Sequence, residues 1–426
     1  MMSEMKETDL GLLPKTWDLQ ILGDLLYIKG RIGWKGLKKS EYIEEGYAII
    51  NGEQIKSDKV NWNSVGRISK ERFLESPEII LKRKDILMTK DGTIGKIAYV
   101  NHLPEDATVA SGVFVIRKES KLLHTKYLYN FFKSRYFKLL IKGRTEGSVI
   151  PHLYQRDFKE MIIPLPSFEE QKAIAKVLTA FDDKIEMLQA QNKTLETMAQ
   201  TIFKEWFGKY QIGDELPEGW RIDSIDNLIN IIIDYRGKTP KKLGMDWSNK
   251  GIEALSAKTI KNGKIVRRDA MNLGSKELYS IWMKDELQKG DILLTSEAPL
   301  GEMYYLPDDT KYILSQRLFA LRVNESITSE YLYNYLFSKY GQHLLKARSS
   351  GSTVEGIRQS ELRKVEVIIP EVNILNKASS IFKSTFIKTA ANEKQIQSLT
   401  KTRDTLLPKL MSGQVRVKNL KQTADA

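Results

Sequence analysis

The sequence predicts an α+β protein in which two similar mixed α/β domains are separated by two long antiparallel coiled-coil helices, arranged as an internal pseudo-twofold repeat. Three observations predict it. A fixed order of landmarks recurs 203 to 206 residues later through nearly the whole chain. Each copy opens with short β-rich runs between Gly, Asn and Asp turns, and each closes with an apolar residue every three or four positions.

The landmarks set the boundaries. Leu13-Pro14-Lys15-Thr16-Trp17 returns as Leu216-Pro217-Glu218-Gly219-Trp220. Lys84-Asp85-Ile86-Leu87-Met88-Thr89, with Gly95 beyond it, answers Gly290-Asp291-Ile292-Leu293-Leu294-Thr295 with Gly301 beyond. Tyr127-Leu128-Tyr129-Asn130 repeats as Tyr331-Leu332-Tyr333-Asn334, Gly147-Ser148 as Gly351-Ser352, and Ile162-Ile163-Pro164 as Ile368-Ile369-Pro370. The expected domains are 1–165, a central helix at 166–210, a second domain at 211–370, a C-terminal helix at 371–417 and a flexible tail at 418–426.

In the first domain Ile79-Ile80-Leu81, Ile86-Leu87-Met88 and Val113-Phe114-Val115-Ile116 read as strands. The stretch from Tyr127 to Leu140 has helical spacing, with Leu128, Phe131, Phe132, Phe137 and Leu140 on one buried face. Then comes a coiled-coil seam of Ile174, Leu178, Phe181, Ile185, Leu188, Asn192, Leu195, Ala199, Ile202 and Trp206, on a helix of about 60 Å. Ser167 and Glu170 can form a capping box at its start, and Gly208 can end it. Asn192 either fixes register on this seam or faces solvent on a shorter amphipathic helix. The second helix, from about Ile374 to Met411, keeps the rhythm in Ile396, Leu399, Arg403, Leu406 and Leu410, and Pro408 is expected to kink or end it early. A long helix with an apolar stripe needs a partner, and its own copy is at hand. Antiparallel pairing would make the chain imitate a dimeric DNA reader, with two diverged heads for two different half-sites.

Charge points the same way. The 426 residues carry 67 Lys and Arg against 54 Asp and Glu, a surplus of +13 that attracts polyanions, double-stranded DNA first among them. With no cysteine, disulfides, thiolate zinc sites and a Cys nucleophile are excluded. The opening residues lack a signal-peptide core and no stretch matches a membrane span, so a soluble cytoplasmic protein without a membrane partner is expected.

Candidate DNA contacts fall in paired regions. Between Glu119 and Glu146 there is no acid, while Lys133, Lys138, Lys142 and Arg144 stand among the bases there, followed by Ser148. The counterpart region holds Lys346, Arg348 and then Ser352. A basic helix with a Gly-Ser loop can line a phosphate track, or it can be an ordinary solvated face and turn. Lys35, Lys38 and Lys39, interleaved with Trp34 and Gly36, match a diverged second set of Arg236, Lys238, Lys241 and Lys242. Such loops can contact guanine edges or phosphates.

Catalytic constellations are absent by the same inspection. Gly92-Thr93-Ile94-Gly95-Lys96 is too short for a nucleotide-binding P-loop, and no Asn or Asp followed by Pro-Pro and an aromatic grips a flipped base. Pro307-Asp308-Asp309-Thr310-Lys311 has only a superficial likeness to a nuclease motif, and Asp182-Asp183 reads as helix surface charge. His102, His124, His152 and His343 are scattered without metal-ligand spacing.

The run Asp85-Ile86-Leu87-Met88-Thr89-Lys90-Asp91-Gly92-Thr93-Ile94-Gly95-Lys96 resembles the Gly-Thr-Ile-Gly-Lys signature of type I restriction-modification specificity subunits. So does the segment from Gly147 through Ile163-Pro164-Leu165-Pro166 to Glu170-Gln171-Lys172-Ala173-Ile174-Ala175. The second copy departs from it, with Ser296-Glu297-Ala298-Pro299-Leu300-Gly301 in place of the loop and Asn376-Lys377-Ala378 where Glu-Gln is usual. The resemblance adds Lys90, Thr93 and Lys96 to the candidate DNA contacts. It implies a non-enzymatic subunit with two target-recognition domains reading a split asymmetric DNA target, no catalytic residue and no metal. It also implies two methyltransferase subunits docked on the helices and up to two restriction and translocation subunits, with S-adenosylmethionine, ATP and magnesium confined to those partners. Two other readings stay open at this point: a self-sufficient DNA-modifying or DNA-cleaving enzyme, and a coiled-coil scaffold with no DNA role.

Overall fold

A computed structural model describes residues 4–32, 36–145, 152–351 and 355–417. Two compact units divide the chain, Met1–Glu186 with Gln397–Ala426 and Met187–Ile396. Each long helix therefore gives one part to each unit.

Each unit contains a domain of the same topology. In the first, an antiparallel sheet runs Ile97–Tyr99, Ile86–Thr89, Val113–Lys118, Leu26–Gly30. In the second the order is Met303–Tyr305, Ile292–Thr295, Leu318–Val323, Ile229–Asp234. A three-stranded sheet accompanies each, with one parallel pair: Ala107–Val109 beside Tyr47–Ile50, and Ile313–Leu314 beside Ile252–Leu255. A two-stranded clasp closes each domain, Asp18–Ile21 with Ile162–Leu165 and Arg221–Ser224 with Glu366–Ile369.

The repeated tetrapeptide explains itself at the clasp. Tyr127 Oη donates to the Pro164 carbonyl at 2.6 Å and Tyr331 Oη to the Ile368 carbonyl at 2.7 Å, tying a helix to the clasp strand. Asn130 and Asn334 each return a side-chain amide to the carbonyl four residues back at 2.8 Å. A phenol buried in this way must keep a partner, since an unpaired hydroxyl costs about 1–3 kcal/mol.

Two expectations for the domains need correction. Ile79-Ile80-Leu81 is not a strand: a 3-10 turn spans Pro77–Ile79, and the Leu81 amide reaches the Ala107 carbonyl at 2.8 Å. Ile79 and Leu81 are buried all the same, so burial rather than pairing selects the apolar residues. The stretch from Tyr127 to Leu140 is two helices, Thr125–Lys133 and Arg135–Thr145. Ser134 breaks them with extended backbone and accepts the Phe137 amide on its Oγ at 3.3 Å. Ser338 does the same between Ser329–Phe337 and Lys339–Ala347.

The long helices span Phe168–Phe207 and Val372–Met411. In the first unit Asp182 Oδ1 meets Arg403 Nη1 at 2.7 Å, and Glu170 Oε2 meets Arg416 Nη2 at 2.7 Å. Rising numbers on one side match falling numbers on the other, so the segments run antiparallel. In the second unit Asn192 with Asn392, and Phe203 with Phe382, give the same sense. Of the seam residues, Ile174, Leu178, Ile185, Leu188, Asn192 and Leu410 are buried. Phe181, Leu195, Ile202, Ile396, Leu399 and Leu406 are half-buried.

Asn192 accepts from Asn392 Nδ2 at 2.7 Å, and both side chains are 2% exposed, so Asn192 is a seam residue and not a solvent-facing one. The helix runs on past Pro408 to Met411, so Pro408 does not end it early. The proline lies in the last turn, where it has no amide to give the carbonyl four residues back, and the buried Leu410 and Met411 hold that turn. The expected capping box is only half made: Ser167 Oγ accepts the Glu170 amide at 3.4 Å, while the Glu170 carboxylate is drawn off to Trp17 Nε1 and Arg416.

Candidate nucleic-acid interface

The loop between Ile86–Thr89 and Ile97–Tyr99 is built on Thr89. Its Oγ1 donates to the Thr93 carbonyl at 2.5 Å and accepts the Lys96 amide at 3.0 Å, while its carbonyl accepts the Gly95 amide at 2.9 Å. Gly92 and Gly95 take left-handed backbone, at φ +65° and +81°. Thr93 and Lys96 are exposed, and Lys90 Nζ lies 5.2 Å from the Phe114 ring centroid. Ile141 packs on Gly95, which sets the Arg135–Thr145 helix beside the loop. Lys138 and Lys142, four residues apart on one exposed helix face, accompany it.

The second domain keeps this frame and changes its charge. Thr295 Oγ1 donates to the Pro299 carbonyl at 2.6 Å and accepts the Glu302 amide at 2.9 Å. Ala298, at φ +52°, stands in place of Gly92, Ser296 in place of Lys90, and Glu302 in place of Lys96. Gln342 Nε2 donates to the Gly301 carbonyl at 2.9 Å, where the first domain has Lys138. Two loops of unlike sequence thus share one hydrogen-bond pattern, with the basic pair absent from the second.

The remaining candidates divide by what already holds them. Lys38 and Lys39 are exposed at a short turn closed by the Lys38 amide on Glu41 Oε2 at 2.6 Å. Lys133, its side chain 14% exposed, places its ammonium 2.9 Å from Asp58 and 3.5 Å from Asp182, so it is already paired within the protein. The same contacts occupy Asp182. Arg236 forks onto Asp234 at 2.9 and 2.8 Å and stacks 4.1 Å from the Phe319 centroid. Lys238 donates to the Trp282 carbonyl at 2.9 Å, and burial holds its ammonium below the usual lysine range. Lys242 donates to the Gly237 carbonyl at 2.8 Å, whereas Lys241 is exposed. Lys346 is exposed, and Arg348 faces Glu361 at 3.7 Å. Lys35, Ser148, Ser352 and the side chain of Arg144 lie outside the described residues.

Lys241 opens onto a cleft of about 470 Å³ lined by Lys258, Asn272, Gln316 and Arg317. Charge counting along the chain missed Lys258 and Arg317, because they arrive from two separate turns, the second of which also brings Gln316. Aligning the copies would have flagged Arg317, which stands against Gly112. The nuclease-like acids have structural duties: Asp308 binds Lys394 at 2.6 Å and the Thr310 amide at 3.0 Å, and Asp309 accepts the Lys289 amide at 3.0 Å. Among the described residues no group of three or more His, Asp or Glu is placed to hold a metal ion. No helix among them is long and apolar enough to cross a membrane.

The family of type I restriction modification DNA specificity domains matches this chain twice, at residues 14–197 and 217–401. The chain belongs to that family. As a specificity subunit it recognises DNA sequence and is not itself the enzyme, so the readings as a self-sufficient enzyme and as a scaffold give way. Curated relatives include the type I restriction enzyme MjaIX specificity subunit of Methanocaldococcus jannaschii, 27% identical over 98% of this chain and 98% of its own. The EcoKI specificity subunit of Escherichia coli K12 is 21% identical over 97% of this chain and 88% of its own. In fold, this specificity subunit is similar to the crystal structure of the type I S subunit from M. genitalium, with a TM-score of 0.60 and 20% identity over 92% of this chain and 96% of that one.

Proposed function

We propose that each domain reads one half of a split, asymmetric duplex target, and that the two helices act as the spacer between the readings. The observation that carries this is the shared loop frame with unlike charge: Lys90 and Lys96 in one domain, Ser296 and Glu302 in the other. Lys38, Lys39, Lys138, Lys142 and Lys346, all exposed, serve as phosphate contacts that position the duplex, while base edges are read from the loops. The repeat presents each helical segment twice, which supports two methyltransferase subunits docking on them and up to two restriction subunits joining. S-adenosylmethionine, ATP and magnesium belong to those partners, and the assembly works in the cytoplasm.

The test is to assemble the chain with its methylating subunits, supply S-adenosylmethionine and genomic DNA, and map methylated adenines. The expected result is one split motif, changed in one half only when residues 1–165 are exchanged for another first domain. Methylation that ignores the exchange would sink the reading.

A further inference from the structure

Asp91 and Glu297 occupy the same place in the two loop frames, next to Lys90 and Ser296 respectively. In both domains that neighbour is fixed by the same two backbone bonds. The Lys90 amide donates to Gly112 at 2.9 Å and the Lys90 carbonyl accepts from Leu153 at 3.0 Å. The Ser296 amide donates to Arg317 at 2.9 Å and the Ser296 carbonyl accepts from Ile357 at 2.9 Å. Gly112 is therefore the counterpart of Arg317, and His152 is the counterpart of Gly356.

The side chains at these positions are exchanged. In the first domain His152 Nδ1 meets Asp91 Oδ1, and the opposite position is the bare Gly112. In the second, Arg317 Nε meets Glu297 Oε1 at 2.9 Å, and the opposite position is the bare Gly356. A Cβ on Gly356 would lie 3.2 Å from the Glu297 Cβ and 3.3 Å from the Ser296 carbonyl oxygen, so this side is tight for a second side chain. One acidic residue in each domain thus holds one nitrogen-bearing side chain, delivered from opposite sides.

We propose that Arg317, aimed by Glu297, is the base-reading residue of the second domain and takes the O6 and N7 edge of a guanine. This rests on the recognition function proposed above. Arg317 is 49% exposed on its side chain and lines both the 470 Å³ cleft and an adjoining one of about 420 Å³ with Asp234, Arg236 and Gln316. Its backbone is left-handed at φ +63°, a conformation that residues other than glycine seldom take and that is met at functional sites. A planar guanidinium fork suits the paired guanine acceptors. A carboxylate beside it disfavours the alternative of a phosphate contact, because Glu297 would repel the backbone.

The experiment compares methylation motifs written by the whole complex with the wild-type chain, Arg317→Gln and Arg317→Lys. Both variants are expected to keep the first half-site and the spacer length, and to lose roughly 10- to 100-fold discrimination at one guanine of the second half-site. Arg317→Lys keeps the charge but not the fork, so it separates base reading from affinity even where Arg317→Gln folds poorly. A second half-site without a G·C pair, or a rate loss that is uniform across sequences, overturns the assignment while leaving recognition intact. A wild-type complex that writes no split motif overturns the recognition reading itself, and this one with it.

Discussion

Glu393 is held where its charge is opposed. Burial pushes its carboxyl above the usual carboxylate range, Lys264 and Arg268 oppose the shift in part, and Glu196 adds to it. Tyr304 also faces it. With the folded-state value raised, the native protein binds this proton more readily than the unfolded chain does, and stability falls as pH rises through that raised value. Glu393→Gln removes the ionisation. The variant is expected to melt above the wild type near about pH 8 and to approach it near about pH 3, below the ordinary glutamate value, where the carboxyl is protonated in both states. Equal melting temperatures across that range would rule the effect out. Such environments are invisible in a sequence, which shows a side chain but not its neighbours. The sequence shows Lys133 within a basic stretch but not Asp58 and Asp182 beside it, and it does not mark Arg317, whose cleft is assembled from distant turns.

At the scale of elements, the long helices were legible because spacing by three and four is a property of the chain alone. Asn192 was legible too, but not its partner. Asn392 lies four residues before Ile396, in step with the second helix, but as a polar residue it adds nothing to the apolar stripe that marks the seam; its Nδ2 reaches both Asn192 Oδ1 at 2.7 Å and Gln191 Oε1 at 2.9 Å. Asn392→Leu alone strands a buried acceptor and is expected to lower unfolding stability by about 1–3 kcal/mol. Changing both Asn192 and Asn392 to Leu is expected to recover most of that loss, since two matched apolar residues leave nothing unpaired. Urea midpoints of the two single variants and the double would decide it, and additive losses would show that the pair is not coupled. The break at Ser134 escaped the sequence because the aromatic residues on either side keep a helical spacing across it, while the turn depends on one serine hydroxyl.

For the whole molecule, the repeat carried most of the fold into view, since matching landmarks require matching topology. What it could not show is that each unit closes its own core. One core gathers Trp17, Phe131, Ile174 and Leu410, all from the first unit. Another gathers Leu294, Phe319, Phe203 and Phe382, all from the second. A cavity in one core should therefore be felt mainly where its lining residues are. Leu294→Ala, at a position with 0% exposure, is expected to cost about 2–5 kcal/mol. Hydrogen exchange on the intact chain should then speed up at amides of residues 187–396, while those of the strand Val113–Lys118 keep their protection. Equal loss in both places would mean that the chain unfolds as one cooperative body, and that its two readers cannot be altered one at a time without cost to the other.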